Sequence, residues 1–281
     1  MRIFETIGAL QGHLGQCRDL GKTIALVPTM GGLHQGHLQL IDKAKSHADV
    51  VVASIFVNPT QFSPHEDLDK YPHSPEADKK GLMSRGADIL FLPSVEQIYP
   101  KNQTSDYEIG EMATLLCGKS RPVHFNGVAQ VVSRFFDIVE PDVAVFGEKD
   151  YQQLQIIKQL VERQKRNINI ASIKIVRESD GLAMSTRNKY LNASERALSP
   201  NFNQAILRAK LNYESGMSID EVVSKAKESL EKPFELDYFE MLDANTLTQI
   251  TTSSTDVIIV SAVKLGATRL IDNIVFRRSN V

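Results

Sequence analysis

The chain has 281 residues, enough to bury one large α/β core or a main domain with a smaller companion. Apolar residues make up 42% and charged residues 23%, proportions that exclude disordered and fibrous classes. With 32 basic against 34 acidic side chains, the net charge of -2 leaves no electrostatic footprint for a dedicated nucleic-acid or anionic-membrane binder.

Met1-Arg2-Ile3-Phe4-Glu5-Thr6 has neither the apolar core of a signal peptide nor the acid-poor, basic character of a transit peptide. No run approaches the ~18 apolar residues of a membrane span, so the expected location is the cytoplasm. Cys17 and Cys117 stand far apart without metal-ligand spacing, which argues against a disulfide framework. Apolar, β-branched runs at Thr23–Val27, Val50–Val57 and Asp88–Leu92 read as strands buried on both faces of a parallel sheet. Between the first two, Leu40, Ile41, Ala44 and Ala48 recur at helical spacing, which makes a βαβ unit. Pro75 opens the next helix and Gly86 stops it. A helix over about 127–139, a strand at Val143–Phe146, a helix over about 150–166 and a strand at Ala171–Val176 continue the alternation.

Beyond Val176 the texture changes. Helical stretches near 194–213 and 218–230 precede short strands at Leu236–Met241, Val257–Val263 and Arg269–Phe276. The expected fold class is α/β: a Rossmann-like, doubly wound parallel sheet over residues 1–176, followed by a smaller α+β lid domain over 177–281. Ligands of such sheets bind beyond the carboxyl ends of the strands, so those ends carry the functional reading.

Pro28-Thr29-Met30-Gly31-Gly32-Leu33-His34-Gln35-Gly36-His37 leaves a strand, turns on paired glycines and enters a helix. Glycine lets backbone approach a ligand, and a helix N-terminus offers unpaired N–H groups to phosphate. His34 and His37 fall on one side of the first turn, where both can donate to phosphoryl oxygens; an H-x-x-H metal pair is the alternative. Gly21-Lys22-Thr23 is not a P-loop, because it precedes the strand and Gly15 lies one residue too far upstream. No G-x-G-x-x-G follows any strand, which counts against a dinucleotide cofactor.

Phe146-Gly147-Glu148-Lys149-Asp150-Tyr151-Gln152-Gln153 is a second strand end opening a helix, readable as a ligand site or as a solvated charge cluster with Asp150 as N-cap. Gly181 to Asn188 places Met184, Ser185, Thr186 and Arg187 on a turn that is either a mobile phosphate-binding loop or a linker. Asn58-Pro59-Thr60-Gln61-Phe62 puts amides at the same edge, suited to a hydroxyl or carboxylate. His13, His47, His65, His73 and His124 have no such context and read as surface or loop residues.

Together the segments Pro28–His37, Phe56–Phe62, Gly147–Gln153 and Met184–Asn188 resemble the signatures of the pantothenate synthetase family over essentially the whole chain. More distantly, His34 to His37 is similar to the H-x-G-H element of adenylyl-transferring enzymes. The resemblance implies an ATP-dependent ligase that condenses (R)-pantoate with β-alanine through a pantoyl adenylate, releasing AMP and pyrophosphate. It implies that Met30 to His37 (with Gly31, Gly32, Leu33, His34, Gln35 and Gly36), Gly147 to Asp150 (with Glu148 and Lys149), Val176 and Met184 to Arg187 contact ATP. Gln61 and Gln153 would hold pantoate, Gln61 would also reach β-alanine, and His37 would be the proton donor. Physically, His34, His37, Lys149 and Arg187 suit the charge that develops on the phosphates. Mg2+ would accompany ATP without a dedicated protein cage. No nucleic-acid partner is implied, and the assembly would be a homodimer. Gly32 stands where the family usually has alanine, Gln39 where serine is common, and Thr186 where serine is frequent. The competing readings are an adenylyltransferase that stops after joining AMP to its substrate, and a nucleotide-sensing or RNA-binding module.

Overall fold

Nine strands form two sheets in the computed structural model, which describes residues 1–100 and 109–278. The first sheet contains β1 (Arg2–Phe4), β2 (Ile24–Thr29), β3 (Val50–Ile55), β4 (Ile89–Phe91), β5 (Val143–Gly147) and β6 (Asn169–Ile173), all parallel, in the order β1-β4-β3-β2-β5-β6. The helices on its faces are α1 (Ile7–Asp19), α2 (Gln35–Lys45), α3 (Pro75–Ser84), α6 (His124–Val139) and α7 (Tyr151–Arg163), with short turns α4 (Val95–Ile98) and α5 (Cys117–Ser120) between them.

The continuous apolar runs are explained by burial on both faces. Ile24, Leu26, Val50 and Val52 pack into a core with Phe135, Phe136 and Leu154 of α6 and α7. The alternate residues Ala25, Val27, Val51 and Ala53 pack with Leu40, Ile41 and Leu82 of α2 and α3. A period of two thus splits one run between two cores. Each fully buried Leu, Ile or Phe contributes about 1.5–3 kcal/mol, so both faces stabilise the sheet.

The second sheet is antiparallel, β7 (Phe234–Asp243), β8 (Asp256–Leu265) and β9 (Thr268–Arg277) in that order. Phe239, Val257, Ile259 and Val263 pack with Phe202, Ile206 and Val222 of α9 (Pro200–Glu214) and α10 (Ile219–Ser229), which follow α8 (Ala193–Leu198). The opposite face sends Ile258 and Val260 against Leu116, Tyr151 and Ile156 of the first unit. Arg177 binds the buried Asp272 through two nitrogens at 2.7 and 2.9 Å, a geometry that only a guanidinium fork makes. The smaller sheet is therefore docked on both sides.

Several sequence expectations are corrected. Residues 1–22, left without elements by periodicity, form β1 and α1, with Leu10, Leu14 and Cys17 supplying a narrow buried stripe. The stretch near 194–213 is two helices, because Pro200 cannot continue α8 and begins α9. The strand expected to reach Val176 ends at Ile173. His124 is 8% exposed at the head of α6, not a surface or loop residue.

Candidate active site

Strand order reverses between β2 and β5, which places the crevice of a doubly wound sheet beyond their carboxyl ends. The turn after β2 passes through Gly31 and Gly32 at φ of +82 and +62, a region open to glycine at little cost. Asp78, buried in α3, accepts hydrogen bonds from the Gly32 and Leu33 N–H groups at 2.8 Å each. This carboxylate pins the turn to a neighbouring helix.

Two imidazoles then make a reciprocal cap. His34 is the N-cap of α2, and its Nδ1 accepts from the Gly36 N–H at 3.1 Å; the Nδ1 of His37 accepts from the His34 N–H at 3.3 Å. Both Nδ1 atoms are acceptors, so each neutral ring carries its proton on Nε2. The rings lie 4.1 Å apart at 42°. Burial, then the neighbouring His37 and Lys149, pulls the His34 pKa from 6.5 down to about 3. Burial and Lys149 bring His37 to about 4. At neutral pH the pair consists of two uncharged N–H donors at a helix N-terminus.

The turn after β5 is held from outside. Asn273 of β9 donates to the carbonyls of Glu148 and Lys149 at 2.9 and 3.1 Å. Glu148 accepts from Ser172 at 2.8 Å and so faces β6 rather than the crevice. Asp150 makes no side-chain cap on α7, which disfavours the simple N-cap reading of this segment.

The third segment closes over the first. Thr186 donates to the Gly32 carbonyl at 3.0 Å, and Arg187 binds Asp67 through Nε and Nη2 at 2.9 and 2.8 Å. The Arg187 guanidinium lies 5.6 Å from the Tyr71 ring centroid, and Tyr190 donates to the Lys70 carbonyl at 2.9 Å. Burial works against the ionised Asp67, but Arg187 outweighs it and holds this carboxyl below its usual range.

These pieces surround a cavity of about 230 Å³, room for a ligand rather than for one or two waters. Met30, His34, Gly36 and His37 line one wall, and Gly147, Lys149, Asp150 and Gln153 another. Val176, Met184, Ser185, Thr186 and Arg187 line a third, and Gln61 is also on the lining. Gly31, Gly32, Leu33, Gln35 and Glu148, expected to contact ATP, are not on the wall. The two glycines and Leu33 shape the turn, Gln35 is exposed and Glu148 is turned away. Val176 lies past the strand end, with its carbonyl accepting from the Met184 N–H at 2.9 Å.

Gln61 is 7% exposed, accepting from Asn58 at 3.0 Å and touching the Met30 sulfur at 3.1 Å. Its segment lies against Gly127 of α6, where any Cβ would come within 2.4 Å of the Thr60 backbone. That contact brings His124 to the cavity, its Nδ1–H donating to the Gln61 carbonyl at 3.0 Å. Burial, then Arg121, lowers the His124 pKa to about 4, although the Gln61 carbonyl works the other way. Sequence reasoning missed His124, Asp78, Asp67 and Asn273. None lies in a strand-end motif.

The site has recognisable relatives. A family model described as pantoate-beta-alanine ligase matches residues 2–275. The chain is 51% identical over 258 residues to the pantothenate synthetase of Ruthia magnifica subsp. Calyptogena magnifica, covering 92% of each. It is similar to the crystal structure of pantothenate synthetase from Thermus thermophilus, with a TM-score of 0.92 at 38% identity over 98% of this chain and 99% of that one. It is also similar to a pantoate-beta-alanine ligase from Francisella tularensis complexed with beta-gamma ATP and β-alanine, with a TM-score of 0.82 at 36% identity over 98% and 97%. On the extent of these matches, the chain belongs to the pantoate–β-alanine ligase family.

Proposed function

We propose that the protein condenses (R)-pantoate with β-alanine to pantothenate, using ATP and passing through a pantoyl adenylate. The observation that carries the mechanism is the pair of neutral imidazole donors at the N-terminus of α2, facing Lys149 and Arg187 across one cavity. A pantoate carboxylate oxygen forms a bond to the α-phosphorus, and the bond to the bridging oxygen breaks with its electron pair leaving on pyrophosphate. Negative charge shifts onto the α-phosphate and the leaving group, where the Nε2–H donors, the helix terminus and two cations stabilise it. His37, expected as the proton donor, is neutral above about pH 4 and so acts by donating a hydrogen bond from Nε2–H.

Arg187 exchanges Asp67 for phosphate when ATP enters, so the segment bearing it serves as the lid that keeps water from the adenylate. Gln61 and Gln153 hold the hydroxyl and carboxylate groups of pantoate, and the apolar wall of Phe56, Val128, Val131 and Val132 suits its two methyl groups. The amine of β-alanine then takes the acyl carbon and AMP departs. Mg2+ accompanying ATP would neutralise phosphate charge. Asp150 is the single carboxylate on the cavity wall among the described residues, so phosphate oxygens would supply most of its ligands.

We place the boundary between sheet and lid near Val176 and, by family resemblance, assign a cytoplasmic homodimer. No helix among the described residues is long and apolar enough to cross a membrane. The test is product analysis: with ATP, pantoate and β-alanine the protein yields pantothenate and AMP in equal amounts, and with pantoate alone it exchanges labelled pyrophosphate into ATP. Absence of both sinks the proposal.

A further inference from the structure

The second half-reaction leaves a proton to be placed. When the amine nitrogen bonds to the acyl carbon it becomes cationic, and one N–H proton must leave as the C–O bond to AMP breaks. Resting on the function proposed above, we infer that His124 is the catalytic residue that receives this proton, on Nε2.

Among the described residues three histidines line the cavity, and their hydrogen bonds sort them. His34 and His37 spend Nδ1 as acceptors from backbone N–H groups, so their Nε2 atoms carry protons and can only donate. His124 is the reverse. Its Nδ1–H is committed to the Gln61 carbonyl, which leaves Nε2 as the ring's bare lone pair. The Gln61 backbone that orients this ring belongs to the residue whose side chain is assigned to pantoate and β-alanine, so the acceptor lies beside the groups that would hold the acyl substrate.

Few other acceptors are available. Asp150 is exposed, and its charge acts on His34 as well as on His124. Glu66 is tied to Arg121 at 2.5 and 3.1 Å. Arg121 also reaches the Gln61 carbonyl at 3.5 Å, and with Glu66 and Asp150 it is the charge facing His124. A buried imidazole beside a guanidinium is a weak base, poorly matched to a free ammonium of pKa about 10. It is better matched to a nitrogen already acidified by its new bond to carbon. The timing follows: the nitrogen lone pair forms the C–N bond, the C–O electron pair leaves on AMP, and the released proton passes to Nε2.

The test separates the half-reactions in His124→Asn and His124→Gln. Asn keeps an N–H for the Gln61 carbonyl but has no basic nitrogen; Gln sets an amide near the Nε2 position without basicity. Both variants should keep pantoate-dependent pyrophosphate exchange near the unaltered rate, which also reports that they are folded. Both should lose about 100-fold or more in pantothenate formation. Hydroxylamine, a far less basic nucleophile, should restore turnover to the hydroxamate in both. The inference is overturned if exchange and amide formation fall in parallel, if hydroxylamine rescues neither variant, or if Asn turns over within about threefold of the unaltered enzyme. The last result would mean that only the Gln61 contact mattered. Failure of the unaltered enzyme to exchange pyrophosphate would instead remove the underlying function.

Discussion

The turns after β2 and β5 leave neighbouring strands at the same crevice and open helices of similar length, yet they are held in different ways. The first is held mostly from within the larger unit: Asp78 fixes Gly32 and Leu33 from an adjacent helix and the two imidazoles cap the first turn of α2, while Thr186 adds one bond to the Gly32 carbonyl. The second carries Lys149 but owes its position to Asn273, a residue 125 positions from Glu148 on the other sheet. Phosphate donors on α2 are therefore positioned mainly by contacts within the larger unit, whereas the backbone at Lys149 is also held by the small sheet. Adenylate chemistry needs both, so the interface between the sheets belongs to the active site.

The largest expected effect lies in the first turn. His37→Ala removes a donor and half of the cap, and should lower pantoate-dependent pyrophosphate exchange by about 100- to 1000-fold. A loss below about tenfold would shift the catalytic weight to Lys149 and Arg187. Next comes Asp78→Ala, which leaves the buried Gly32 N–H and the part-buried Leu33 N–H without an acceptor. It should cost about 3 kcal/mol in urea unfolding, and a neutral result would show that the turn does not depend on α3.

The departure at Gly32 sharpens the comparison. A Cβ there would lie 2.6 Å from the Thr186 methyl and 2.8 Å from the Pro72 carbonyl. The Thr186 methyl thus occupies part of the space an alanine at position 32 would need, and the Pro72 carbonyl occupies the rest. Gly32→Ala should therefore cost more in the Thr186 background than beside Thr186→Ser, with a coupling of about 1 kcal/mol in a double-mutant cycle of exchange rates. Strict additivity would refute the coupling.

Asn273→Ala should be milder. It frees the Glu148 and Lys149 carbonyls, costs about 1 kcal/mol in stability and lowers the exchange kcat more than it raises the KM for ATP. An unchanged kcat would show that the second turn holds itself. The smallest effect concerns pH. Because His34 and His37 titrate near about 3 and about 4, lowering the pH from about 7.5 to about 6 should change exchange by less than about twofold. Stability runs in the same direction. As pH falls from 6.5 towards about 4, the unfolded chain binds protons that the folded histidines refuse, so urea midpoints should drop across that window.

Much of the nucleotide end was legible in the chain. Continuous β-branched runs announce strands buried on both faces, and paired glycines followed by His34 and His37 announce a helix N-terminus at a strand end; these are local facts. Gln152 and Gln153 show where legibility stops. Adjacent on α7, they differ only by a helical step, and packing turns Gln152 to the Met112 and Leu115 carbonyls at 2.8 Å each while Gln153 faces the cavity.

By itself the sequence determined the sheet, its glycine turns and the family signatures, since each depends on residues within a few positions of one another. Only the tertiary structure decided which nitrogen of His124 carries the proton, which carboxylate pins the first turn and which amide holds the second. Those outcomes rest on contacts 46, 63 and 125 positions apart, between Asp78 and Gly32, His124 and Gln61, and Asn273 and Glu148, and no local pattern encodes a contact that packing alone brings together.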